Sequence, residues 1–290
     1  MKFALFMGCT VPARTRNYEI SARAIAKSLD IELVDLLDFA CCGFPLKAIN
    51  EEATMLLAAR NLCLAEEKGL DVCCVCSACT SVLTETRHKL VHDEKLRATV
   101  NQKLKAVGHE YKGTAKVRHF ARIIYEDIGI DALKRKFTKN LSALTFAPHY
   151  GCHYIKPSEI YDGFDSVEDP HSLDELIEAT GAKVTTYKDR KDCCGGAVLA
   201  VDANVAVAVA ARKLLHIHEA KADAICLVCP FCRVMYDDNQ KSIAAEAKVE
   251  LNLPVLFLPQ VLGLAMGMDS KALGFQLNIT KAKDLLAKIE

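Results

Sequence analysis

The chain has 290 residues, 51% hydrophobic and 26% charged. That composition excludes a disordered, collagenous or coiled-coil protein and suits one large domain or two medium-sized ones with real cores. Its 37 basic and 37 acidic side chains cancel, so no overall charge draws it to nucleic acid or a membrane surface. The unusual number is 14 cysteines in a chain without tryptophan.

In chain order, Lys2–Met7 reads as a first strand, too short an apolar run for a signal peptide. Ile31–Leu36 reads as a second strand, Ala53–Lys68 as a helix, Asp71–Val75 as a buried strand and Lys116–Phe120 as a fourth strand. The same series then recurs: Leu144–Ala147, Lys183–Tyr187, a helix over Val201–Lys221, Ala224–Val228 and Pro254–Leu258. Alternating strands and helices predict an α/β fold with a mostly parallel sheet in each half. No stretch approaches the 20 or so apolar residues of a membrane span, and a cytoplasmic location is expected. In a reducing compartment dense cysteines point to metal or redox chemistry more than to disulfides.

The recurrence is a duplication. Cys41 and Cys193, like Cys42 and Cys194, stand 152 residues apart; Cys76 and Cys229, like Cys79 and Cys232, stand 153 apart; Cys9 and Cys152 stand 143 apart. Two homologous, pseudo-twofold-related domains are therefore expected, 1–140 and 141–290, the first carrying a helical insertion at about 87–112. Each half supplies five thiols, one after the first strand, a CC pair after the second and a CxxC after the third. Carboxyl ends of strands are where open α/β sheets bind ligands. Structural zinc and cubane clusters take four ligands each, so five thiolates suggest one that bridges metals. A thioredoxin-type CxxC is the competing reading, but it explains neither CC pair, nor Cys9 and Cys152. Gly43, Gly195 and Gly196 permit the sharp turn that lets both members of each pair face one site. Of the other four cysteines, Cys63 and Cys73 read as small core residues, while an ungapped repeat sets Cys74 opposite Cys226. Ten basic residues against three acidic ones between Arg87 and Arg122 read as a solvated face or a docking patch.

The pattern C-x31-CC-x33-CxxC followed by C-x40-CC-x34-CxxC, with MGCTVPAR, HYGCHYIKP, DCCGGA and CPFCRVMYDDNQ, resembles the duplicated cysteine-rich CCG domain, and specifically the B subunits of heterodisulfide reductases. The resemblance runs over nearly the whole chain. One departure is Gly43-Phe44-Pro45 after the first pair, where methanogen members typically place proline directly after CC. The resemblance implies two noncubane 4Fe-4S clusters. Cys9, Cys41, Cys42, Cys76 and Cys79 would hold one; Cys152, Cys193, Cys194, Cys229 and Cys232 would hold the other. It further implies a small-molecule disulfide, such as that of coenzyme M and coenzyme B, cleaved or formed between them, each cluster giving one electron. A ferredoxin-like two-cubane subunit and a flavin subunit are the implied partners.

The chain itself has neither a C-x2-C-x2-C-x3-C-P run nor a G-x-G-x-x-G fingerprint, so no FAD or NAD is expected in it and electrons must come from another protein. His149 and His153 flank Cys152 as candidate proton donors to a departing thiolate. Other readings remain: an electron-transfer subunit of a glycolate, lactate or succinate type oxidoreductase, a subunit of a lipoate-linked sulfur-oxidising complex, or a scaffold with zinc in one half.

Overall fold

A computed structural model describes residues 1–289. The N-terminal half contains a four-stranded parallel sheet of β1 (Lys2–Phe6), β2 (Glu32–Asp35), β3 (Asp71–Cys74) and β4 (Val117–His119), in the order β2-β1-β3-β4. The C-terminal half repeats it with β5 (Thr145–His149), β6 (Lys183–Val184), β7 (Ala224–Leu227) and β8 (Val255–Phe257), in the order β6-β5-β7-β8. The fold is thus α/β with two homologous domains, as the duplication implied. The central strands are largely apolar beyond their first residues because both faces of a parallel sheet are covered; all four residues of β7 are buried.

Register fixes the equivalence residue by residue. Phe3 pairs with Leu33 and Asp71, and Phe146 pairs with Val184 and Ala224. The first strands are therefore offset by 143, as Cys9 and Cys152 are, and the third by 153. This corrects the ungapped repeat: Cys226 is the counterpart of Cys73, and Cys74 is the counterpart of Leu227. The extra residue lies before β7, in the turn after the helix.

β6 is shorter than the periodicity predicted, and the cause is Pro148. Lys183 and Thr185 donate backbone N–H groups to Leu144 and Phe146, but Pro148 has no N–H with which to continue the ladder. Tyr187 instead donates its hydroxyl to the Pro148 carbonyl at 2.8 Å.

The principal helices are α1 (Arg16–Ser28), α2 (Glu51–Glu66), α3 (Ser77–His92), α4 (Glu94–Leu104), α5 (Ser172–Glu178), α6 (Ala203–Glu219), α7 (Gln240–Ala247) and α8 (Leu258–Ala265). The repeated helices α2 and α6 begin at equivalent caps. Asn50 accepts from the Ala53 N–H at 2.9 Å and Asp202 from the Val205 N–H at 3.1 Å. Residues 87–112 comprise the end of α3, all of α4 and the loop beyond. Between Cys74 and Val117 lie 42 residues, against 27 between Leu227 and Val255, and α4 accounts for most of the difference. Much of the basic charge here is matched within the molecule: Lys89 pairs with Glu51 and Glu85, Lys103 with Glu52, Arg118 with Asp127 and Arg122 with Glu126. That favours a solvated, self-paired face over a docking patch.

The two halves close on each other at their strand ends. The carbonyl of Val228 accepts from Tyr18 Oη at 3.2 Å, Ser77 Oγ at 3.4 Å and His119 Nε2 at 2.9 Å. Because the Ala121 N–H donates to His119 Nδ1, the ring carries its proton on Nε2, as the contact to Val228 requires. Tyr18 stacks on Phe257 with centroids 4.0 Å apart, and α8 packs against α1. Arg233, 2% exposed, ties the seam by bonding Asp237, Asp238 and the carbonyls of Arg14 and Leu277. No helix among the described residues is long and apolar enough to cross a membrane.

Candidate metal centre

Each thiol of the repeat occupies the position its strand dictates. Cys9 and Cys152 follow β1 and β5 after glycines in the left-handed region, Gly8 at φ +67° and Gly151 at φ +69°. Backbone conformation favours glycine at both positions, and at Gly8 sulfur requires it as well. A Cβ on Gly8 would lie 2.7 Å from Cys79 Sγ, and one on Gly151 would lie 3.5 Å from Cys232 Sγ. The CC pairs turn on Gly43 (φ +92°) and Gly195 (φ +81°), which also pass close to the backbone of Thr54 and Ala206. Backbone N–H groups meet the sulfurs there: Gly43 N lies 3.5 Å from Cys41 Sγ, Gly195 N 3.3 Å from Cys193 Sγ and Gly196 N 3.4 Å from Cys194 Sγ. Cys76 caps α3 and Cys79 sits in its first turn, and neighbouring thiols together with burial hold both above the usual thiol range. Cys229 caps the short turn Pro230–Arg233, with Pro230 at its first position.

The ten thiols are not two isolated groups. They follow one another as electrostatic neighbours: Cys152 and Cys194 beside Cys193, Cys232 between Cys194 and Cys229, Cys229 beside Cys76 across the seam, Cys79 between Cys76 and Cys42, and Cys41 beside Cys42. Cys9 lies next to Cys41 at the exposed end. Such crowding makes some members readily ionised. Thiol donation from Cys41 and Cys79 pulls Cys42 down to about 4, and donation from Cys152 and Cys194 pulls Cys193 down to about 2. Hydrogen bonds from Cys232 and Cys76 likewise pull Cys229 well below the usual thiol range, while Cys194, which donates to Cys193, is pushed up to about 12. A set of soft sulfur donors converging on the strand ends suits iron–sulfur ligation.

The remaining cysteines behave differently. Cys63, Cys73, Cys74 and Cys226 are fully buried in α2, β3 and β7. Burial raises all four thiols, Cys63 to about 12. Cys63→Ala is expected to leave bound iron unchanged and to lower stability by about 1 kcal/mol, the cost of losing a small buried group. Iron analysis beside a denaturant titration checks both parts.

His149 ends β5, 1% exposed, and one of its ring nitrogens and the sulfurs of Cys194 and Cys232 all lie within 4.8 Å of one another. Its Nε2 has no partner, and burial, aided by Lys213, holds the imidazole well below its ordinary range. A neutral ring beside sulfur can donate a hydrogen bond to it. His153 stands edge-on to Phe44 of the other half, with centroids 5.0 Å apart, and burial lowers it too. Both residues lie by the thiols, His153 on a small apolar cavity of about 30 Å³ shared with Phe44, Ser77, Ala78, Cys152, Cys193, Cys229 and Phe231. Tyr154, two residues after Cys152, is packed in the core against Phe164 and His119. His216 pairs with Asp189 and takes no part. A larger cavity of about 1000 Å³ opens beside Lys241, Asn252 and Pro254, near the other ends of β7 and β8, and no thiol lines it.

Lys213 escaped the sequence reading. It sits inside α6, 1% exposed, with Nζ bonded to the carbonyls of Asp192 and of Arg190 (3.3 Å) and 3.5 Å from His149 Nδ1. Burial lowers it to about 8. Its counterpart 152 residues earlier is Asn61, which holds the first CC loop through Ala40 N–H and the carbonyls of Ala40 and Cys41. The available signal was a lysine on the buried face of a repeated helix, opposite a neutral amide.

Comparison with known proteins gives the same division. The CCG cysteine-rich domain family matches twice, over residues 3–84 and 146–237. The CoB-CoM heterodisulfide reductase of Methanosarcina acetivorans has a B subunit that is 37% identical, over 99% of this chain and 97% of its own. The 8-methylmenaquinol:fumarate reductase membrane anchor subunit of Wolinella succinogenes is 33% identical, over 98% and 99%. A solved structure of a hypothetical protein from Helicobacter pylori shares the fold, with a TM-score of 0.78 over 97% of this chain and 52% of that one, at 18% identity. The chain belongs to the duplicated cysteine-rich CCG domain family, with heterodisulfide reductase B subunits among its near full-length relatives.

Proposed function

We propose that the chain is the iron–sulfur subunit of a heterodisulfide-reductase-like complex, holding one noncubane 4Fe-4S cluster on each five-thiol set. Such clusters, when bound, supply one-electron steps and iron that can take a substrate sulfur. The single observation that carries the reading is the bond of Ser77 Oγ to the Val228 carbonyl, which brings their chain neighbours Cys76 and Cys229, one from each set, to one seam. There a small disulfide such as that of coenzyme M and coenzyme B would be cleaved or formed. Phe44 and Phe231 would exclude water from its sulfurs, and His153 stands where it can hold a proton for a departing thiolate. Electrons would pass to and from a two-cubane subunit and a flavin subunit. Exposed Ile49 and Val201, equivalent positions just beyond the two CC loops, offer such a partner an apolar surface beside the centres.

A second reading, electron transfer within a succinate or fumarate type oxidoreductase, is favoured by the name of the Wolinella relative. Anaerobic purification followed by metal and sulfide analysis tests what the readings share. About eight irons with matching acid-labile sulfide per chain are expected. Zinc with little iron overturns the cluster reading, and about four irons with one zinc reduces one half to a structural site. Reduction of a heterodisulfide by the loaded chain with an artificial electron donor then separates the two functions; no turnover with intact clusters favours the second.

A further inference from the structure

We propose that Lys213 makes the two metal sites electrically unequal, so that the centre held by the C-terminal half is reduced before its N-terminal twin. This rests on the reading that each half holds a cluster. The two halves solve one structural problem with different chemistry. Each CC loop is tied to the repeated helix by a side chain from the same position. In the N-terminal half that is the amide of Asn61, bonded to Ala40 and Cys41. In the C-terminal half it is the ammonium of Lys213, bonded to the carbonyls of Arg190 and Asp192. The geometry is shared, but only one tie carries a charge.

The difference extends beyond that pair. Phe6, the counterpart of His149, places a hydrocarbon ring at the end of β1. His149 instead receives Lys213 Nζ on Nδ1 and leaves Nε2 free on the side of Gly151 and Cys232. The charge sits close to the thiols: Lys213 Nζ lies 3.5 Å from His149 Nδ1, and a nitrogen of that ring lies within 4.8 Å of the Cys194 and Cys232 sulfurs. The main influences on Cys41, Cys42, Cys76 and Cys79 are other thiols, burial and backbone N–H groups. Lys213 is 1% exposed, so water screens its field weakly. Reduction adds one negative charge to a centre without making or breaking a bond. A buried cation and an added hydrogen-bond donor at one site stabilise the reduced form there and not at the other. Lys213 is thus a tuning residue, not a catalytic one.

The test is a potentiometric titration of the full-length chain carrying both clusters, followed by electron paramagnetic resonance. Cys42→Ala and Cys194→Ala, each retaining one centre, assign the signals. The C-terminal centre should titrate above the N-terminal one; equal or reversed order overturns the proposal without reference to any Lys213 variant. Lys213→Gln should then lower the ratio of reduced C-terminal to reduced N-terminal centre about tenfold at fixed potential, equivalent to about 59 mV for one electron. Lys213→Arg should keep the wild-type ratio. A ratio within about twofold of wild type in Lys213→Gln, with iron retained, overturns the proposal. Absence of any iron–sulfur signal in the wild-type chain strikes the cluster reading itself, a different failure from equal potentials.

Discussion

Cys194→Ala is expected to cut bound iron from about eight to about four atoms per chain and to abolish disulfide turnover. The thiol is 4% exposed and stands between Cys193 and Cys232 in the chain of sulfurs. No neighbour can substitute: Cys226 is committed to β7, and Cys152 already serves the same set. Lost ligation should not unfold the chain, because the sheet, α6 and the Arg233 network do not depend on that sulfur. Circular dichroism close to wild type, half the iron and no turnover is the expected triad of results. Cys42→Ala should do the same to the N-terminal set. Full turnover in either variant would sink a mechanism that needs both centres.

Gly8→Ala should remove the N-terminal cluster, whereas Gly69→Ala should not. Both glycines lie in the left-handed region, at φ +67° and +64°. Any L-residue there costs about 1–2 kcal/mol, so the backbone penalty is common to the two. The surroundings differ. A Cβ on Gly69 meets nothing within 4 Å, while one on Gly8 comes within 2.7 Å of Cys79 Sγ. That sulfur has little room to move, since Cys79 is fixed in the first turn of α3 and engaged with Cys42 and Cys76. Gly8→Ala therefore disturbs ligand geometry as well as stability, and the iron of the N-terminal set should fall to near zero. Gly69→Ala should keep all its iron and lose a few degrees in Tm, at about 2–4 °C per kcal/mol for a chain somewhat shorter than this. Equal iron in both variants would refute the steric account.

Much of this was readable in the sequence because duplication wrote each signal twice. A short apolar run such as Phe3–Met7 is ambiguous alone, but a second such run followed by a matched cysteine is not. Two things could not be read. The offset of β3 against β7 depends on where one residue was inserted, and only hydrogen-bonded register places it before β7. Lys213 depends on tertiary burial, since in a helix such as α6 a lysine ordinarily faces water. The meeting of Cys76 with Cys229 belongs to the same class, because no spacing within one half reports how the halves face each other.

The seam also records a history. Tyr18, Ser77 and His119 all serve the carbonyl of Val228. Strand register makes Pro230 and Phe257 the counterparts of Ser77 and His119, and the 143-residue offset of the first cysteines sets Tyr161 opposite Tyr18. The Tyr161 hydroxyl is engaged by the carbonyl of His153 at 2.6 Å, and the other two have no side-chain donor to offer Val75. An ancestor assembled from two identical copies would have had to make such contacts twice or not at all. Once fused, each copy was free to specialise, one as giver and one as receiver. The copies are consequently no longer exchangeable: a gene encoding the second half in tandem with itself would present Val228 to a proline and a phenylalanine, and its protein would lose the two hydrogen bonds that Ser77 and His119 supply to the seam.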